Sequence, residues 1–126
     1  MCSIAGFYNN RYSYLSNEGH FKEILSKMNA VLAHRGPDEN DIYLCNHFGM
    51  AHNRLSIIDI ENGSQPMVKK VYGYTYGIAY NGELYNGAEL RTELEVKGWE
   101  FDTNCDTEVI LIGYLQYGAD IVRRLN

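Results

Sequence analysis

The chain opens on Cys2-Ser-Ile-Ala-Gly-Phe-Tyr8, a short apolar run stopped by Asn9-Asn10, and no other feature constrains the fold as much. Such a run predicts a buried strand starting at the chain's own beginning, so that residue 2 enters the core with its neighbours. From Asn17 the period changes. Phe21, Ile24, Leu25, Met28, Val31 and Leu32 fall at helical spacing, with Glu18 in the first turn and Ser16 or Asn17 as cap. One face of this helix is expected to lie on a core. Gly36-Pro37 is expected to stop it, because proline cannot continue the hydrogen-bond ladder and disfavours helical backbone before it.

Residues 42–45 and 48–52 predict two strands joined at Asn46-His47, residues 55–60 a further extended piece, and residues 62–66 a loop. Between 71 and 80, Tyr72, Tyr74, Tyr76, Ile78 and Tyr80 alternate with Gly73, Thr75, Gly77 and Ala79, which predicts one strand with a packed tyrosine face. Asn81-Gly82 is a strong turn signal that would end it. Asn86-Gly-Ala-Glu89 has the form of a capping box opening a helix through Leu90, Leu94 and Lys97, closed by Gly98. A third helix is expected after Asp106, through Val109, Ile110, Leu111, Tyr114 and Leu115, ending at Gly118; residues 120–125 begin a further element. Strands and helices interleave without a regular βαβ rhythm, and no repeat or linker divides them. The expected fold class is α+β with antiparallel sheet, one domain over 1–126.

Composition narrows the function. Eleven Lys plus Arg against sixteen Asp plus Glu give a net charge of -5, so no basic footprint exists to neutralise a phosphate backbone and no nucleic-acid partner is expected. No apolar run approaches the roughly 20 residues of a bilayer crossing, and residues 1–10 carry no signal-peptide pattern. Three scattered cysteines, Cys2, Cys45 and Cys105, do not make a disulfide framework. A soluble, cytoplasmic protein is the expectation.

Four places could carry chemistry. Cys2 becomes the N-terminal residue if Met1 is removed, and a free α-amine, with a pKa near 7.7–8, can then take the thiol proton. The alternative is a small buried hydrophobe. Asn81-Gly82-Glu83 offers a side-chain amide and a glycine N–H, two donors suited to an oxyanion hole, against the alternative of a plain hairpin turn. Arg54 can clamp a carboxylate with its bidentate fork, or simply make a surface ion pair. Asp106 puts an anion at a helix start, where an N-cap is a sufficient account. Cys45-Asn-His47, with His34 and His52, does not supply two close ligand pairs, so no metal site is expected; His20 needs no special role. The glycines form neither G-x-G-x-x-G nor a P-loop.

The motifs occur in one order: Met1-Cys-Ser-Ile-Ala-Gly-Phe7, His34-Arg-Gly-Pro-Asp38, Ala51-His-Asn-Arg-Leu-Ser-Ile-Ile-Asp59, Gln65-Pro66, Asn81-Gly-Glu-Leu-Tyr-Asn86 and Asp106-Thr-Glu108. This series resembles the class II glutamine amidotransferase domain, and more narrowly the N-terminal glutaminase half of the glutamine-hydrolysing asparagine synthetases. The resemblance implies an N-terminal nucleophile hydrolase, a four-layer αββα sandwich with the nucleophile starting a buried strand. It implies that Cys2 attacks the side-chain amide of L-glutamine, that Asn81 and Gly82 stabilise the oxyanion, that Arg54 holds the substrate carboxylate, and that Glu83 and Asp106 meet its ammonium. Backbone groups of Leu55, Ser56, Ile57 and Ile58 would line the pocket. The ammonia would feed a synthetase domain or subunit, where ATP and magnesium would act; no cofactor is expected in this domain.

Ser3 stands where many members have Gly, and Cys105 where a small hydroxyl residue is common. The family domain continues past the point matching Asn126, by roughly sixty residues toward a usual domain size, so the chain is expected to be an incomplete sandwich that forms homo-oligomers through exposed sheet edges. With Met1 retained, the amine is one residue from the thiol and the base is lost. The competing functions are therefore a catalytically inactive glutamine-binding or interaction module and, further off, a small metal-binding α+β protein.

Overall fold

Alternation along the first strand decides how its sheet is covered. In the computed structural model, which describes residues 2–55 and 63–126, β1 (Ser3–Tyr8) pairs antiparallel with β3 (Phe48–Arg54), and β3 pairs antiparallel on its other side with β2 (Glu39–Leu44). Ser3, Ala5 and Phe7 share a face with their partners Asn53, Ala51 and Gly49. Helix α1 (Glu18–Val31) covers that face, burying Leu25 completely. Polar groups under it are paired: Asn53 Nδ2 donates to the Asn29 carbonyl at 2.9 Å and to its Oδ1 at 2.7 Å, and the Ser3 hydroxyl donates to the Leu32 carbonyl at 3.2 Å. Phe7 and Phe21 each meet Tyr14 edge to face at 4.7 Å between centroids, and lie tilted to one another at 6.1 Å.

Three local expectations need correction here. Helix α1 ends at Val31, well before Gly36-Pro37, because Leu32 leaves helical backbone where its carbonyl receives Ser3 and a 3-10 turn (Ala33–Arg35) follows. Asn17 occupies the cap position without a side-chain capping bond, as the 3-10 turn Tyr14–Asn17 runs directly into the helix. Strand β2 starts at Glu39 and β3 runs on to Arg54, so both are longer than the apolar pattern implied. The expected extended piece at 55–60 lies, beyond Leu55, outside the described residues.

Gly36 explains why β2 can begin so close to the end of β3. A Cβ on it would lie 2.4 Å from the Asn53 carbonyl and 2.6 Å from the Arg54 nitrogen, backbone atoms that cannot step aside. Gly36→Ala is expected to destabilise the fold by about 2–3 kcal/mol, the cost of overpacking at a rigid contact. Urea unfolding checks this; an unchanged midpoint would mean the loop has room.

The chain divides into two compact units, the first holding the sheet just described together with Ser64–Pro66 and Ala79–Asn81, the second Met67–Ile78 and Gly82–Asn126. In the second unit the expected single tyrosine strand is a hairpin, β4 (Met67–Val71) against β5 (Tyr74–Ile78). The turn is Tyr72-Gly73, with φ of 50° and 82°, the two positive values of a primed turn whose twist suits a hairpin. Tyr72 therefore stands at the tip, 91% exposed, and Tyr74 is also exposed, so the tyrosines do not form one packed face. Strand β5 ends at Ile78, and Asn81-Gly82 lies in an irregular segment rather than a hairpin turn.

Helix α2 (Gly87–Val96) follows and Gly98 closes it, as the sequence indicates. Asn86 does not cap it, because its side chain is engaged by the end of the chain: Nδ2 donates to the Arg124 carbonyl and Oδ1 accepts from Asn126 N–H. Helix α3 (Asp106–Tyr117) is buried from Thr107 to Gly113, and a 3-10 turn (Gly118–Arg124) completes the chain. The fold is thus mixed helix and sheet, consistent with α+β, with small antiparallel sheets. Among the described residues no helix is long and apolar enough to cross a membrane.

Candidate active site

By alternation, the face of the three-stranded sheet away from α1 carries His52 and Arg54. One step before the Ser3–Asn53 pair, Cys2 comes beside the end of β3: its Sγ accepts from the Leu55 N–H at 3.3 Å and lies 3.7 Å from the Leu55 carbonyl. The thiol is half-buried and unbridged. Arg54 sits on this same face by alternation, 5% exposed, and its Nη1 donates to Glu39 Oε2 at 3.0 Å. Glu39 is the register partner of Arg54 and accepts at 2.6 Å from the Ser64 hydroxyl. That hydroxyl contact, with the Arg54 charge, holds the Glu39 carboxyl below the usual carboxylate range against the opposing effect of partial burial. Arg54 is therefore not a surface ion pair but a buried cation whose fork is oriented by an acid on the neighbouring strand.

His52, two residues back along β3 and on the same face, has no exposure at all. Its Nε2 lies 3.1 Å from the Tyr80 carbonyl, which can only accept, so Nε2 carries the proton and Nδ1 the lone pair. Burial pulls the His52 pKa below its ordinary value, Arg54 pulls it the same way, and the bond to Tyr80 only partly offsets them. The other backbone group of Tyr80 is also taken, its N–H donating to Gln65 Oε1 at 2.6 Å.

Asn81, next in the chain, belongs to this first unit and is exposed. Gly82, Glu83 and Asp106 belong to the second unit, Gly82 and Glu83 exposed and Asp106 half-buried. There Asp106 Oδ2 accepts the Leu84 N–H at 3.0 Å, and Oδ1 fills the space where Gly87 has no Cβ, at 2.9 Å from that position. The cap of α3 is Cys105 rather than Asp106, because Asp106 has already entered the helix and turns its carboxylate toward the chain after Glu83. The Cys105 thiol is buried 3.0 Å from the Thr103 hydroxyl. Ser56, Ile57 and Ile58 lie outside the described residues. His34 and His47 are exposed and Cys45 half-buried; among the described residues no group of three or more His, Cys, Asp or Glu side chains is placed to hold a metal.

Three participants escape sequence reasoning. Nothing local marks Glu39, whose partnership with Arg54 exists only in the register of β2 on β3. His52 invites attention as a metal ligand and proves to be a hydrogen-bond donor to backbone. Gln65 carries no role in the motif Gln65-Pro66 until its acceptor is seen on Tyr80.

Comparison with known proteins identifies the family. The glutamine amidotransferase domain family matches residues 1–126. The chain is 42% identical over 99% of its length to asparagine synthetase [glutamine-hydrolyzing] 1 of Bacillus subtilis, covering 19% of that protein. It is 39% identical over its whole length to asparagine synthetase 3 of the same organism, covering 20%, and 34% identical over 97% of its length to asparagine synthetase B of Escherichia coli, covering 21%. The chain thus spans about a fifth of the length of these curated relatives. An ordered motif series, a thiol at the mouth of the first strand and a family match from end to end converge: the chain belongs to the glutamine amidotransferase domain family.

Proposed function

We propose that this chain is a glutaminase module, hydrolysing L-glutamine to glutamate and ammonia, and that the ammonia serves an amidation carried out by a synthetase portion outside it, as in asparagine synthesis. The observation that carries the reading is the Cys2 thiol, delivered by β1 to the end of β3 beside the Leu55 N–H and the buried, oriented Arg54. In the active form Met1 is removed and the Cys2 α-amine accepts the thiol proton. Sulfur attacks the amide carbon, and the oxyanion that forms is met by the Asn81 side-chain amide and the Gly82 N–H, donors of a kind worth about 3 kcal/mol each. The amine returns its proton to the leaving nitrogen, the C–N bond breaks and ammonia departs. Water then cleaves the γ-glutamyl thioester and restores the thiol.

The substrate is a zwitterion, and the assigned residues match it: Arg54 for the carboxylate, Glu83 and Asp106 for the ammonium, with the backbone from Leu55 to Ile58 alongside. The same proposal takes the whole domain to be a four-layer αββα sandwich of the N-terminal nucleophile type, to which the three-stranded sheet contributes.

Intact-mass analysis after treatment with a glutamine-analogue electrophile such as diazo-oxo-norleucine tests the reading directly. A chain lacking Met1 and alkylated once at Cys2 is the expected result; an unreactive thiol on a demethionylated chain would favour a binding module. Arg54→Ala should raise KM for glutamine by about 30-fold or more, the equivalent of a lost charge-assisted contact, with a smaller effect on kcat. An unchanged KM would take Arg54 out of substrate binding.

A further inference from the structure

The Asn81 amide is asked to meet an oxyanion, yet it sits in an irregular, exposed segment beyond the end of β5. A donor contributes to catalysis only if it is held within about 0.5 Å of its working position, and side chains that do so are locked by a supporting layer. Such a layer is present one residue away. The Tyr80 N–H donates to Gln65 Oε1 at 2.6 Å, and the Tyr80 carbonyl accepts from His52 Nε2 at 3.1 Å. Both side chains are buried, His52 completely and Gln65 to 7% exposure, and His52 stands on the central strand β3, two residues from Arg54.

Because the Tyr80 carbonyl and the Asn81 nitrogen share one planar peptide, gripping the carbonyl fixes the direction in which Asn81 leaves. We infer that His52 and Gln65 are positioning residues, a two-sided clamp on Tyr80 through which β3 sets the place of the Asn81 amide. The inference rests on the glutaminase reading. An imidazole is a costly way merely to fill a core, since among the described residues its Nδ1 has no partner, whereas an aliphatic side chain would bury no polar atom. The clamp also puts the substrate-carboxylate residue and the support of the oxyanion donor on one strand, so the two ends of the reacting amino acid are referred to a common frame.

The test is glutamate release by the full-length protein, with melting temperature measured in parallel. His52→Leu and Gln65→Met are each expected to lower kcat about tenfold to hundredfold, the cost of a donor displaced by a fraction of an ångström, with KM for glutamine little changed. His52→Gln, whose amide can still donate to the Tyr80 carbonyl, and Gln65→Glu, which keeps an acceptor for its N–H, should recover most of that loss. In an Asn81→Ala background His52→Leu should cost no more than about twofold, because residues acting through Asn81 have nothing left to position. Losses that multiply with Asn81→Ala, that follow melting temperature, or that appear in KM alone would overturn the clamp. Should His52→Leu fail to fold, Gln65→Met and its cycle with Asn81→Ala decide the matter. An unmutated protein that releases no glutamate would instead remove the glutaminase reading, and with it the clamp's purpose.

Discussion

Cys2→Ala is expected to abolish glutamate release, lowering kcat by at least about a thousandfold, while glutamine still binds. The expectation follows from the division of labour on the sheet. Among the described residues the Cys2 sulfur is the group at this corner able to form a thioester, whereas recognition of the substrate's charged end is assigned to Arg54, held by Glu39 through a contact that does not involve residue 2. Removing Sγ also leaves the Leu55 N–H without the acceptor it has at 3.3 Å, but a half-buried amide at a strand end can turn to water at little cost. Stability should therefore change much less than rate. Glutamate release measured beside calorimetric binding of glutamine separates the two quantities, and persistent hydrolysis would show that some other group is the nucleophile. Lost binding together with lost hydrolysis would show that the thiol is part of the recognition surface.

How much of this was legible beforehand depends on the range over which each feature is decided. The first strand, α1 and α3 follow from local periodicity, and the structure places them close to where that periodicity runs. The hairpin at 67–78 was hidden because Tyr72-Gly73 continues the alternation of its neighbours, so a period of two runs unbroken through a turn made of positive φ. Asn86 shows the opposite failure: a correct capping pattern is outcompeted by backbone groups from the end of the chain, about forty residues away, which no local rule can foresee. In the site, Cys2 and Arg54 stand out because their chemistry is unusual for their positions. Glu39, His52 and Gln65 do not, since each acts only through a partner fixed by strand register or by the return of the chain at residue 80.

The largest effect on stability is expected at Glu108. Its carboxylate is fully buried near the start of α3, accepting from the Asp102 N–H at 2.9 Å, the Thr103 N–H at 2.6 Å and the Thr103 hydroxyl at 2.6 Å, and pairing with Lys69 Nζ from β4 at 2.6 Å. Burial by itself would push the Glu108 pKa up; the three hydrogen bonds and Lys69 together more than reverse this, and the carboxyl is held below its ordinary 4.5. Glu108→Ala takes the acceptor from the Asp102 N–H, the Thr103 N–H and the Thr103 hydroxyl at once and leaves Lys69 paired with Asp102 alone, and should cost about 3–5 kcal/mol, the loss of three hydrogen bonds to a charged group. Glu108→Gln keeps an acceptor but gives up the charge and should cost less. Since the folded-state pKa is depressed, the contribution is complete above the unfolded value near 4.5 and is lost as pH falls through the folded value, because protonation then favours the unfolded chain. Urea midpoints measured from pH 7 down to pH 3 should show this acid limb in the parent and lose part of it in Glu108→Gln; parallel curves would mean that other carboxylates set the acid limit. Asp106 lies two residues before Glu108 in the same first turn and holds the Leu84 N–H from there. The turn that Glu108 holds thus carries the carboxylate proposed to meet the substrate's ammonium, so Glu108→Gln should raise KM for glutamine even where the protein remains folded.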